Sequence, residues 1–212
     1  MNDKNCSAPR CCSEKTAAVL DAAARVFLAH GFSAATTDMI QRAAAVSKAT
    51  VYACYPNKEA LFAAVIEREC QRMMDGIRAL DGAGQPLRPA LSEMGRAYLS
   101  MLLSPNGLAL YRVVVADAPR FPELGRLFFQ TGPQQVVAIV TRLLCRAADS
   151  LDLSTIGAAE AAKLFLSLLR NEAQLELLTH PTAQTSAAGI DRLVELAVGT
   201  FLRAYAPGSA NG

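Results

Sequence analysis

The 212-residue chain has no tryptophan, aromatic residues make up only 6% of it, and it has just two histidines, His30 and His180. Its six cysteines never stand in CxxC spacing. No metal-ligand pair or redox dithiol motif is therefore written into it. It also lacks a glycine-rich phosphate loop and a nucleophile elbow, so no catalytic residue, metal or cofactor is expected. No stretch of 18 uncharged apolar residues occurs, so no membrane span and no membrane partner are expected. The N-terminus has no apolar run of the signal-peptide kind, and a cytoplasmic protein with reduced thiols is expected. The net charge of +2 rules out a uniformly basic nucleic-acid coat.

What is present is a 52% hydrophobic composition with many Ala, Leu, Arg and Glu and little β-branched alternation. That balance predicts an all-α protein. The charge is unevenly placed. Residues 1–58 hold seven Lys/Arg against four Asp/Glu, a net of +3, and residues 59–212 hold fourteen against fifteen, a net of −1. The positive excess, though modest, falls on the most patterned stretch of the chain.

That stretch is residues 36–58. Thr36 or Thr37 is an N-cap, with Asp38 in the first turn where a negative charge suits the helix dipole. Ile40, Ala43 and Ala44 share one helical face, and Ser47 caps a second helix only three residues later. The spacing is that of a helix-turn-helix. Val51 points inward from the second helix, leaving Lys48, Ala49, Thr50 and Tyr52 outside, and Pro56-Asn57 ends it and caps the next. Ala49 and the Thr50 methyl suit thymine methyl groups. Ser47, Lys48, Thr50, Tyr52 and Tyr55 suit phosphates, and Lys58 stands at a helix N-terminus where an anion would be welcome. By pattern alone, a capped helix pair on an ordinary protein surface fits equally well.

The residues themselves go further. His30-Gly31-Phe32, Thr36-Thr37, Ala44 to Tyr52 and Tyr55-Pro56-Asn57-Lys58-Glu59-Ala60-Leu61-Phe62 resemble the DNA-binding domain of the tetracycline-repressor (TetR) family over residues 14–65. The resemblance implies a homodimeric transcription regulator, usually a repressor, with operator DNA as partner. It also implies operator contacts at Thr37, Lys48, Thr50, Tyr52, Tyr55 and Lys58, and these with Thr36, Ser47 and Ala49 make up the expected DNA-contact set. Ala45 stands where the family's turn usually has glycine, and Cys54 where an aromatic or histidine is common. Residues 111–144, with Asp117-Ala118-Pro119-Arg120-Phe121-Pro122, more loosely resemble the C-terminal domain of the AefR-like subgroup, which implies control of efflux or a secondary pathway.

The expected layout is a flexible arm at 1–12, a three-helix DNA-binding domain at 13–58, a helical ligand-binding and dimerisation domain at 59–206, and a flexible end at 207–212. Helices are expected over 14–29, 57–79, 87–103, 106–117, 122–130, 133–150, 155–179 and 187–205, besides the two of the helix-turn-helix. The last two carry apolar stripes suited to a four-helix contact between two copies, with Leu164, Phe165, Leu168, Leu175, Leu193, Val194, Ala197 and Phe201 in the interface. Met73, Met94, Tyr98, Met101, Tyr111, Phe128 and Phe129 supply adaptable apolar surface, and Asn171 and Glu172 supply polar contacts, for a small, largely apolar effector. Taken singly, each of these side chains reads more readily as ordinary core, or as a solvated or ion-paired group. Cys6, Cys11 and Cys12 leave open a thiol- or metal-responsive regulator, and a small helical enzyme or a scaffold protein is the competing class.

Overall fold

The computed structural model describes residues 8–80, 84–180, 182–183 and 185–207, with side chains from residue 14 onward. Among these residues there are eleven α-helices and no strand, as the composition implies. They are α1 (Ala8–His30), α2 (Thr37–Ala44), α3 (Lys48–Cys54), α4 (Lys58–Arg78), α5 (Leu87–Leu102), α6 (Pro105–Asp117), α7 (Pro122–Thr131), α8 (Pro133–Arg146), α9 (Gly157–Arg170), α10 (Ala173–Thr179) and α11 (Ala187–Ala204). No single helix among them is long and apolar enough to cross a membrane.

Two boundaries differ from expectation. Because α1 starts at Ala8, residues 8–12 of the expected arm are helical. Residues 1–7, the side chains of Cys11 and Cys12, the Asp81-Gly82-Ala83 loop and residues 208–212 lie outside the described residues. The single helix expected over 155–179 is two helices, separated at Asn171 and Glu172.

The helices divide into two compact units, and the division is not the expected cut at residue 58. The first unit is the N-terminal segment through Glu69 together with Ala109–Phe128. The second is Cys70–Leu108 together with Phe129 onward. The first unit thus claims half of α4 and most of α6 and α7, because those segments share its core. Phe27, Phe32 and Phe62 are fully buried and meet at centroid distances of 4.8–5.7 Å. Phe121, just after α6, sets its ring edge-on against Phe32 at 4.7 Å. Such ring pairs add about 0.5–1.5 kcal/mol each beyond their area burial. Arg68 ties α4 to α1 through Asp21 at 2.7 Å and the Leu20 carbonyl at 3.2 Å, while also reaching buried Glu69 at 3.0 Å. Gly31 ends α1 at φ +80°, the left-handed conformation a helix C-cap favours and a side chain resists.

The second unit is a helical bundle around Leu91, Met94, Leu99, Val140, Leu144, Phe165, Leu169, Val194, Val198 and Phe201, all buried. Its helices approach closely at Gly95 of α5, where an added Cβ would lie 3.0 Å from Leu169 and 3.2 Å from Val194. At that spacing only glycine passes without moving its neighbours.

Candidate nucleic-acid interface

The helix-turn-helix is assembled from local signals. Thr36, extended at φ −119° and ψ 154°, caps α2 by accepting the Met39 N–H at 3.2 Å. Ser47 caps α3 in the same way through the Thr50 N–H at 3.1 Å. Asn57 caps α4 through the Ala60 N–H at 2.7 Å. Between α2 and α3 the chain reverses at Ala45, which sits at φ 53° and ψ 41°. The Ala45 N–H donates to the Arg42 carbonyl and the Val46 N–H to the Gln41 carbonyl. This pair of bonds is a Schellman cap, whose left-handed residue is normally glycine. Alanine there is strained but permitted. Ala45→Gly is expected to stabilise the protein by about 0.5–1 kcal/mol, visible as a higher midpoint in thermal melts.

Ile40 and Val51 are buried and hold α2 and α3 against α1. The opposite face of α3 is open. Lys48, Ala49 and Tyr52 are exposed, Tyr52 by 45%. Lys48 lies 3.0 Å from Asp38 of α2. The hydrogen bond to Asp38, and then its charge, raise the Lys48 ammonium above its ordinary pKa. Thr37 and Tyr52 bring their hydroxyls to 3.4 Å. Thr37, Lys48 and Tyr52 are thereby gathered along one outer edge of α2 and α3. Thr50 is half-buried with its hydroxyl 2.8 Å from that of Ser47. Tyr55 is also half-buried, and burial pushes its phenol up, with neighbouring Cys54 adding to the shift. Thr36 and Ser47, placed in the sequence-derived DNA set, use their side chains as helix caps.

Lys58 departs from expectation. The sequence reading aims it at a phosphate. In the structure its ammonium donates to the carbonyls of Phe32 at 2.8 Å and Ala35 at 3.0 Å, and lies 4.5 Å above the Phe32 ring. The buried carboxylate of Asp117 accepts the Phe32 N–H at 3.1 Å and the Ser33 hydroxyl at 2.5 Å. The loop that leads into α2 is therefore clamped by one cation and one anion. No local pattern announces Asp117. It closes α6, where a negative charge opposes the helix dipole, so its role comes from partners 84 and 85 positions away.

The other sequence-derived residues separate. Of the interface set, Phe165, Val194, Ala197 and Phe201 are buried in the second unit's own core, at 0–1% exposure. On α9 the outward-facing Leu164 and Leu168 each stand one position before the buried Phe165 and Leu169. Leu164, Leu168 and Leu175 are exposed by 48%, 41% and 64%, Leu193 is half-buried, and Leu196, absent from the expected set, is exposed by 59%. Leu164, Leu168 and Leu196 line a groove of about 560 Å³ between α9 and α11, with Ala197 and Phe201 also in its wall. Asn171, assigned to the effector, lines this groove too.

The residues expected to meet the effector fall in both units. Tyr111 and Phe128 pack edge to face in the first unit at 6.5 Å. Met94 and Tyr98 are buried in the core of the second, with Met101 partly buried against it. Met73 is half-buried, and Phe129, Asn171 and Glu172 are exposed. Among the cysteines, Cys70 is buried, Cys145 is exposed, and half-buried Cys54 accepts a hydrogen bond from Thr16 at 3.5 Å. No group of three or more metal-ligating side chains occurs among the described residues.

A short helix with a polar, cationic outer edge, capped at both ends and packed across a tight turn onto a second helix, defines a helix-turn-helix DNA reader. The chain belongs to the TetR family of transcriptional regulators. Residues 19–65 match the family of bacterial regulatory proteins of the tetR type, and residues 89–207 match the C-terminal domain of AefR-like transcriptional repressors. Among solved structures, the flavonoid-responsive regulator FrrA is 35% identical, with a TM-score of 0.74 over 93% of this chain and 100% of that one. A TetR-family regulator from Pseudomonas syringae pv. tomato DC3000 is 26% identical, with a TM-score of 0.71 over 90% and 96%. One from Mesorhizobium loti MAFF303099, 23% identical, shares the fold at a TM-score of 0.81 over 92% and 98%. No curated protein matches the chain. The chain is thus a DNA-binding regulator and not an enzyme.

Proposed function

We propose that the protein is a homodimeric repressor that holds a two-fold operator and leaves it when a small, planar, largely apolar effector binds. The observation that carries the DNA reading is the open face of α3, with Lys48, Ala49 and Tyr52 exposed opposite fully buried Val51. One such helix reads few base pairs, and two copies read a symmetric site. The exposed leucines of α9 and α11 supply the surface for the second copy. The 35% identity to a flavonoid-responsive regulator favours a flavonoid-like polycyclic effector, and the methionine-containing core of the second unit suits such a molecule. Efflux or secondary-pathway genes are the regulated class that the AefR-like C-terminal domain favours.

The test begins with selection of operator fragments from the protein's own genome, followed by titrations at several salt concentrations. Lys48→Ala is expected to weaken operator binding and to reduce the slope of log affinity against log salt by about one, because one phosphate contact releases roughly one counterion. Lys58→Ala is expected to lower the melting temperature and leave that slope unchanged, since its ammonium serves the loop carbonyls. A changed slope for Lys58→Ala would return it to the phosphate set. A flat response of wild type to salt would overturn the DNA reading. Flavone titrated with and without operator then tests the effector: reciprocity requires the two ligands to weaken each other by the same factor.

A further inference from the structure

The break between α9 and α10 changes which residues face the core of the second unit. Along α9 the inward positions are Ala161, Ala162, Phe165, Leu166 and Leu169. An unbroken helix would carry that face on through Ala173 and Leu177 at regular four-residue steps. Both keep core contact, Ala173 partly buried and Leu177 buried, but Gln174 beside them is buried as well. The helix is broken at Asn171, a non-glycine residue at φ 43° and ψ −141°. That conformation is strained for an L-residue, of order 1–3 kcal/mol. Its consequence is that Asn171 and Glu172 are left exposed while Gln174 is turned in, to 8% exposure.

Gln174 is an odd residue to turn in. Its Nε2 is the one buried side-chain nitrogen or oxygen among the described residues with no hydrogen-bond partner. The other core-facing residue of α10, Leu177, belongs to the apolar cluster that includes Met74, Met94 and Tyr98. A leucine or methionine at 174 would complete that surface with no polar group to satisfy. A buried amide donor facing an apolar cluster is unfavourable until an acceptor reaches it.

We propose that Gln174 is the hydrogen-bond donor of the effector site, reading a carbonyl or other uncharged oxygen acceptor on a ligand whose apolar body enters the core of the second unit. This rests on the effector reading above and sharpens it. A ligand that is pure hydrocarbon leaves the amide unpaired, and a cationic amine offers it no acceptor. The chemistry selects a flat, apolar molecule with a carbonyl oxygen at one edge.

The test uses a matched pair, flavanone and flavan, which differ by the ring carbonyl alone, titrated calorimetrically against the full-length wild type and Gln174→Met. Methionine keeps the length and volume of the side chain and removes its donor. Wild type is expected to prefer flavanone by roughly tenfold or more, the size of one buried hydrogen bond, and Gln174→Met is expected to lose that preference while still binding flavan as wild type does. Free Gln174→Met is expected to melt no lower than wild type, since an unpaired donor has been removed. If both proteins show the same preference, or wild type shows none, Gln174 does not read the ligand, and the effector reading survives alone. If a lower melting temperature accompanies an unchanged preference, the amide has a structural partner such as a water, and the proposal falls. If neither compound binds wild type, the flavonoid-like effector reading fails, and this inference with it.

Discussion

Asp117→Ala is expected to lower stability by about 2–3 kcal/mol and to weaken operator binding beyond what that loss explains. The carboxylate is 7% exposed and accepts two hydrogen bonds from the α1–α2 loop. Truncation leaves the buried Phe32 N–H without an acceptor and frees the Ser33 hydroxyl. The loop they hold leads directly to Thr36, the cap of α2, so the recognition pair loses one of its two clamps. Asp117→Asn provides the contrast. The amide oxygen still accepts from Phe32, and the Ser33 hydroxyl reverses to accept from the amide nitrogen. The charge that opposes the α6 dipole disappears as well. Asparagine is therefore expected to cost less than about 1 kcal/mol. Thermal melts and hydrogen exchange at the Phe32 amide measure both variants. Equal protection of that amide in wild type and Asp117→Ala would show that the clamp is not what holds the loop.

A comparably large effect is expected at the groove between α9 and α11. Leu168→Glu places a charge on a side chain that is 41% exposed and makes little of the unit's own core. If this face holds the second copy, the variant sediments as a folded monomer. Its affinity for a full two-fold operator then falls by roughly a hundredfold or more, because the second head is no longer delivered at high effective concentration. The neighbouring Leu169, fully buried, is the control. Leu169→Glu is expected to unfold the second unit, since it buries an unpaired charge. A Leu168→Glu protein that remains dimeric would move the interface elsewhere.

Where the sequence was legible, the reason is local. The caps Thr36, Ser47 and Asn57, the glycine after α1 and the inward Val51 all act within four residues of their own position, so the type and order of α1 to α4 could be read directly. The conformation of Ala45 was left open by its sequence, because alanine is common in helices as well as rare at positive φ, and the structure places it at φ 53°. The surroundings of the expected effector residues were not legible. Met94 and Tyr98 went to the core of one unit and Tyr111 and Phe128 to the other, because an apolar side chain's spacing along a helix does not say which neighbour covers it.

By itself, then, the amino-acid sequence determined an all-α chain with a helix-turn-helix near its start, a recognition helix with Lys48 and Tyr52 outside, and apolar stripes on its last helices. These follow from composition, periodicity and capping, which are properties of contiguous segments. Tertiary structure alone decided that α6 and α7 pack with the DNA-reading head, that Lys58 serves loop carbonyls and not a phosphate, that Leu164, Leu168 and Leu196 face out while Phe165 and Phe201 face in, and that Gln174 is buried. Each of these depends on partners far away in sequence. A shift of one position rotates a helix face by about 100 degrees, enough to exchange core for surface, and only the packed chain fixes it.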